Sequence, residues 1–381
     1  MIAESPKPEN RFERHPLITL FAVILSVVLA GTVVFITVYY HRQKAVLENE
    51  GIMNAAFTYR TDSPVYHHDF IPFQSIDTAT WGEITYRLCT NSLGFKDVSP
   101  RNVPLKTDNY RIVFMGDSFT EGIGLPYEKT FAGVVGQQLK KEHISVLNAG
   151  VLSYAPIIYW RKTKYLIETV GLTFDEMVVF LDISDAWDEA ASYYLDAHGN
   201  VKSKISDDPQ LRKRVIDRIR KDQAVNSLQQ FMGILADVLP SEAGHTGEWT
   251  IDRQQFDKFG KTGLEKMTRY MDRLRMLLAG HDIKLTVAVY PWPIQIAAGD
   301  RDSIQAAYWK NWCAANDIDF INYFPVFCPV DPKKRKAVIE TYFIHGDTHW
   351  NARGHALVAR IFCNHFQKTE KNRATTRKDP S

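Results

Sequence analysis

The sequence predicts an α/β protein: a three-layer α/β/α domain around a parallel sheet, preceded by one transmembrane helix. Two observations predict it. Between residues 109 and 367, short apolar runs alternate with stretches of helical period, the pattern of a parallel sheet covered on both faces. Ahead of them, Leu17 to Tyr40 gives 24 residues without a charge. At about 1.5 Å per residue that span reaches roughly 36 Å, enough to cross a hydrocarbon core of about 30 Å.

Residues 1–16 are polar and proline-bearing, and read as a short disordered tail. For 17–40 a cleaved signal peptide is the competing reading, but its apolar core is normally about 7–15 residues. No small-x-small cleavage site follows, so an uncleaved anchor is expected, with Tyr39 and Tyr40 in the interfacial belt. The flanking charges, Lys7, Arg11 and Arg14 before and Arg42 and Lys44 after, give only a slight orientation bias. Residues 41–108, broken by Pro64, Pro72, Pro100 and Pro104, read as a juxtamembrane collar, β-rich or irregular.

The domain proper spans 109–367. Strands are expected at 111–115, 144–147, 177–181, 284–290 and 318–321, and helices at 128–141, 156–169, 255–279 and 352–367. Pro156 suits the first turn of its helix. The alternation stops over 196–255, a charged helical insertion that reads either as a cap or as a peripheral decoration. Residues 368–381 form a basic tail expected to be disordered.

Composition excludes several classes. The chain is 45% hydrophobic and 24% charged, with a net charge of +2 and no dense basic stripe, so nucleic acid is not an expected partner. None of the four cysteines sits in a C-x-x-C pair, and no metal or cofactor is implied. Cys313 and Cys328 would form a disulfide in an oxidising compartment or remain buried thiols; the sequence leaves both open.

Chemistry concentrates at two places. The strand at 111–115 runs into Gly116-Asp117-Ser118-Phe119-Thr120-Glu121-Gly122, setting a serine at a strand's carboxyl end, where open α/β sheets carry their sites. Near the other end lies Gly346-Asp347-Thr348-His349-Trp350-Asn351-Ala352-Arg353-Gly354-His355. A hydroxyl needs an adjacent base to become a nucleophile, and a histidine held by a carboxylate supplies one.

Together these segments resemble the SGNH hydrolases, the GDSL-like lipase/esterase superfamily, over roughly residues 109–366. The resemblance implies Ser118 as nucleophile, His349 as base and Asp347 as the acid. It implies an oxyanion hole from the backbone of Ser118 and from Gly150, which follows the second strand in Asn148-Ala149-Gly150. Asn91-Ser92-Leu93-Gly94-Phe95 is similar to a segment that often precedes this domain in bacterial envelope members. Two departures stand out. Where the family usually reads G-x-N-D, this chain has Asp182-Ile183-Ser184-Asp185, so Ser184 falls at the position of an oxyanion asparagine. Many members also place the acid three residues before the histidine, where this chain has Gly346.

Other candidates read more simply. His345 and His355 are expected to be structural, and Asp185 and Asp188 have no His or Cys beside them for a metal. Trp292 is expected to pack, with stacking on a sugar ring as its functional alternative. The expected activity is acyl-ester chemistry through a Ser–His–Asp acyl-enzyme by a membrane-anchored, extracytoplasmic (periplasmic) domain, with O-acetylated polysaccharide as the substrate expected by analogy. The alternatives are O-acyl transfer, and a non-catalytic glycan-binding or assembly protein with the same fold.

Overall fold

The computed structural model describes residues 59–204 and 247–376. The expected anchor at 17–40, the tail before it and most of the insertion lie outside these. Among the described residues no helix is long and apolar enough to cross a membrane.

Two small strands, β1 (Arg60–Ser63) and β2 (His67–Phe70), form an antiparallel hairpin. They are followed by β3 (Ser75–Trp81), β4 (Ile84–Thr90) and β5 (Lys96–Asp97). Five strands then alternate with helices: β6 (Arg111–Met115), β7 (Ser145–Asn148), β8 (Glu176–Leu181), β11 (Lys284–Val289) and β12 (Asp319–Asn322). Between β8 and β11 a second hairpin pairs β9 (Tyr193–Leu195) with β10 (Val201–Ser203). The helices nearest the site are α1 (Ser118–Glu121), α2 (Phe131–Leu139), α3 (Pro156–Tyr165), α4 (Asp185–Trp187), α5 (Lys261–Ala279) and α6 (Ala352–Thr376).

The main sheet has eight strands in the order β12-β11-β8-β6-β7-β5-β4-β3. Its first five run parallel, and in chain order they give the doubly wound arrangement 5-4-3-1-2. β6 and β8 are buried along their whole length, as a central parallel strand with helices on both faces must be. The two faces can be told apart by their contacts. Phe114 meets Phe131 of α2 and Phe362 of α6, whereas Met177 takes a hydrogen bond from Thr163 of α3. Phe114 lies opposite Val178 in register, so alternate residues of the two strands serve opposite layers.

Two expectations change. The sheet is mixed, because part of the expected collar joins it: β5 pairs antiparallel with β7 through Lys96 and Asn148, and β4 and β3 continue outward. Without that arm β7 would be a bare edge with unpaired backbone groups, which proteins cover. The last helix runs to Thr376, past the expected end at 367, and takes up the first part of the segment read as a disordered tail. All four cysteines are free and buried, so Cys313 and Cys328 form no disulfide.

Candidate active site

The parallel strand order reverses between β6 and β8, and the crevice at the carboxyl ends of these strands is where such sheets bind ligands. Ser118 is the first residue of α1, three residues beyond the end of β6. Asp117 caps that helix, its carboxylate accepting from the Phe119 N–H at 3.0 Å. Gly122 ends it at φ 74, a left-handed conformation that suits glycine. The turn therefore holds Ser118 at a helix start, where its N–H has no intrahelical acceptor.

His349 comes from the turn before α6. The Ser118 hydroxyl donates to its Nε2 at 2.7 Å, and its Nδ1–H donates to Asp347 Oδ1 at 2.6 Å. One neutral tautomer satisfies both bonds: proton on Nδ1, lone pair on Nε2. The His349 backbone N–H also donates to Asp347 Oδ1, at 2.9 Å. The second oxygen of Asp347 accepts from the Trp81 indole at 2.6 Å. Burial works against the Asp347 carboxylate, but the hydrogen bonds and charge of His349, with the indole bond, outweigh it and hold the carboxyl below its ordinary range. Phe119 lies against the imidazole with ring centroids 4.9 Å apart, and the triad side chains are largely shut off from solvent.

The expected oxyanion donors are arranged differently. The Gly150 N–H is already committed to Asn148 Oδ1 at 3.2 Å. A side chain there would meet Thr120, since a Cβ would lie 2.6 Å from the Thr120 Cβ. The glycine thus lets the turn after β7 approach α1 closely. In the same turn the N–H groups of Ala149, Val151, Leu152 and Tyr154 donate to Phe114 O, Gly116 O, Glu121 Oε2 and Val151 O. Among the described residues the Ser153 N–H has no acceptor, and Ser153 is held at φ 61. Ser184 is likewise engaged: its backbone N–H donates to Asp182 Oδ1 at 2.6 Å.

Behind the nucleophile lies a buried acidic group. Asp182 also accepts from the Trp292 indole at 2.6 Å, Asp117 from the Tyr290 hydroxyl at 3.1 Å, and Asp185 from the Tyr159 hydroxyl at 3.1 Å. Burial raises all three carboxyls, and the charge of Asp182 adds to the rise at Asp117 and Asp185. Among the described residues no three of His, Cys, Asp or Glu are placed to hold a metal ion. Trp292 is half-buried and stacks on Phe119 at 6.3 Å, beside the nucleophile's turn. His355 is structural: burial pushes it down to about 3, and its neutral Nδ1 accepts from the Phe131 N–H. His345 is exposed.

The sequence reading missed Trp81, Asp182, and the Arg60–Glu121 pair that holds Leu152. Arg60 of β1 binds Glu121 of α1 at 2.7 Å, and Glu121 in turn accepts from the Leu152 N–H at 2.7 Å. Of these only Glu121 carried a signal, as an acid inside the nucleophile's own motif.

No known family profile matches the chain, and no curated protein matches it. Solved structures that it resembles include a lipolytic protein of the G-D-S-L family from Desulfitobacterium hafniense DCB-2, at 13% identity over 68% of this chain and 99% of that one, with a TM-score of 0.40. The psychrotrophic esterase EstA from Pseudoalteromonas sp. is 12% identical over 69% of this chain and 100% of its own, with a TM-score of 0.39. An acetyl xylan esterase, AlAXEase, is 14% identical over 67% and 98%, with a TM-score of 0.36. At TM-scores below 0.5 these likenesses lend no weight to the chemistry. What stands is the hydrogen-bonded chain of Ser118, His349 and Asp347, at the positions where the resemblance to the SGNH hydrolases expects nucleophile, base and acid.

Proposed function

We propose that this protein is a serine esterase of the SGNH hydrolase type. The observation that carries the reading is the continuous hydrogen-bonded chain from Ser118 through His349 to Asp347. His349 takes the hydroxyl proton as Ser118 attacks an ester carbonyl. The C–O bond to the leaving alcohol then breaks, and His349 returns the proton to that alcohol. Asp347 fixes the tautomer and stabilises the imidazolium. Water repeats the sequence on the acyl-enzyme and releases the acid.

The developing oxyanion is assigned to the N–H groups of Ser118 and Ser153. Ser153 takes the place expected of Gly150, whose N–H is engaged by Asn148. The Ser184 N–H is held by Asp182, which leaves its hydroxyl as the group that could join them. Loss of one such donor costs on the order of 10²–10³ in rate, so turnover below that of a three-donor esterase is expected.

The finer reading is a domain anchored by residues 17–40 on the outer side of a cell membrane, acting on O-acetyl esters of an envelope or secreted polysaccharide. The 24-residue uncharged span supports the anchor, and analogy of fold and location supports the substrate. The same residues serve O-acyl transfer if a sugar hydroxyl replaces water. One observation favours a glycan-binding scaffold instead: Ser184 stands where an oxyanion asparagine is expected, and its N–H is tied to Asp182. The full-length protein is expected to hydrolyse p-nitrophenyl acetate, with the rate falling to background in Ser118→Ala. Equal rates in the two proteins would favour the scaffold. Product analysis with a glycan acceptor separates transfer from hydrolysis.

A further inference from the structure

We infer that Trp81 is a positioning residue of this site, acting through Asp347; the inference rests on the reading of Ser118, His349 and Asp347 given above. Asp347 Oδ1 serves His349 twice, through its backbone N–H and its imidazole. Trp81 takes the other oxygen, at 2.6 Å. Its ring also meets the imidazole edge-on, with centroids 5.1 Å apart. A carboxylate bonded at both oxygens cannot turn about its last torsion without breaking one side. The indole therefore fixes the plane in which Oδ1 faces Nδ1.

The position of Trp81 is built for this contact. It closes β3 and pairs in register with Ile84 across the turn at Gly82, where φ is 57. The hairpin tip sits against Gly124 and Ile344: a Cβ on Gly124 would lie 3.1 Å from the Ile344 Cδ1, 3.7 Å from that of Ile84 and 3.8 Å from the Trp81 Cδ1. Ile344 opens the turn that carries the acid and base, its N–H donating to His349 O and its carbonyl accepting from the Asp347 N–H. The arm thus touches both the carboxylate and the turn that presents it.

Burial alone does not account for the bond. Among the described residues, the buried indole N–H groups of Trp187, Trp309 and Trp350 have no hydrogen-bond partner. That of Trp81 meets a carboxylate, and such charge-assisted bonds are roughly twice as strong as neutral ones.

Trp81→Phe keeps an aromatic ring and removes the donor. The expected result is a kcat lowered about 10–100-fold, the usual reach of a hydrogen bond to a charged group, with KM changed less than about 2-fold. In an Asp347→Ala background the same substitution adds less than about 2-fold, because the group it acts through is gone. With Trp81 intact, its indole N–H resonance is expected to shift between wild type and Asp347→Asn, a readout that does not depend on how well Trp81→Phe folds. An unchanged kcat in folded Trp81→Phe, a full extra loss in the Asp347→Ala background, or an indole resonance indifferent to Asp347 overturns the inference. If wild type labels with a fluorophosphonate and turns over while Trp81→Phe matches it, only the role of Trp81 falls. If wild type does neither, the reading of the site falls and this inference with it.

Discussion

Asp347 accepts hydrogen bonds from the His349 backbone and imidazole and from the Trp81 indole, and these hold its carboxyl below the ordinary range despite burial. The sign follows from that depression. Its ionised form contributes stability above the unfolded carboxylate range, and the contribution is lost as pH falls through the lowered folded value. Asp347→Asn cannot hold the imidazole in the required tautomer, so kcat should drop on the order of 10³–10⁴-fold in steady-state assays with little change in KM. Retained turnover would move the acid's role elsewhere. That Ser118, His349 and Asp347 meet was legible in Gly116-Asp117-Ser118 and Asp347-Thr348-His349, the segments that carry the resemblance. The part played by Gly150 was not: Asn-Ala-Gly gives no hint that the Asn148 side chain has already taken the glycine N–H. Trp81, 266 positions from Asp347 in sequence, leaves no local trace at all.

The turn after β8 shows how an element can carry a pH response. Burial pushes Asp188 and Glu189 up to about 8, and Glu189 accepts from the Ile157 N–H at 2.5 Å. Both stay protonated in the folded protein while the unfolded chain ionises near its ordinary values of 3.8 and 4.5. The folded state then binds more protons, so stability falls as pH rises from about 4 to about 8. Melting temperature should decline between pH 5 and pH 8.5, and Asp188→Asn with Glu189→Gln should flatten the decline. A flat or rising wild-type curve would contradict these assignments. The same turn explains a glycine: α5 crosses α4 so closely that a Cβ on Gly263 would lie 2.1 Å from the Ala186 carbonyl oxygen. Gly263→Ala is expected to cost about 1–3 kcal/mol in urea denaturation, because backbone and not a flexible side chain must move. The strands of the parallel sheet were legible to within a residue or so at their ends, since β6, β7, β8 and β11 are short, largely buried and mostly apolar runs. The antiparallel arm was not, because β3 breaks its alternation at Asp77-Thr78 and β5 is only two residues long.

Over the whole molecule, the described part of the segment read as a collar, from residue 59, is built into the main sheet and the candidate site. β3 to β5 cover the open edge of β7, Trp81 reaches Asp347, and Arg60 at the start of the described chain binds Glu121 beside the nucleophile. Arg60 and Glu121 are both buried, so Arg60→Ala leaves a charge without its partner. A loss of about 3–5 kcal/mol in unfolding free energy is expected, with reduced turnover, since Glu121 also secures Leu152 next to Ser153. Stability within about 0.5 kcal/mol of wild type would show the pair to be dispensable. All of this converges on one hydroxyl, and covalent labelling tests it most directly. Full-length protein treated with a fluorophosphonate should carry a single adduct that peptide mass spectrometry locates on Ser118, absent in Ser118→Ala and strongly slowed in His349→Ala. An unlabelled Ser118, or an adduct on another residue, would contradict the account.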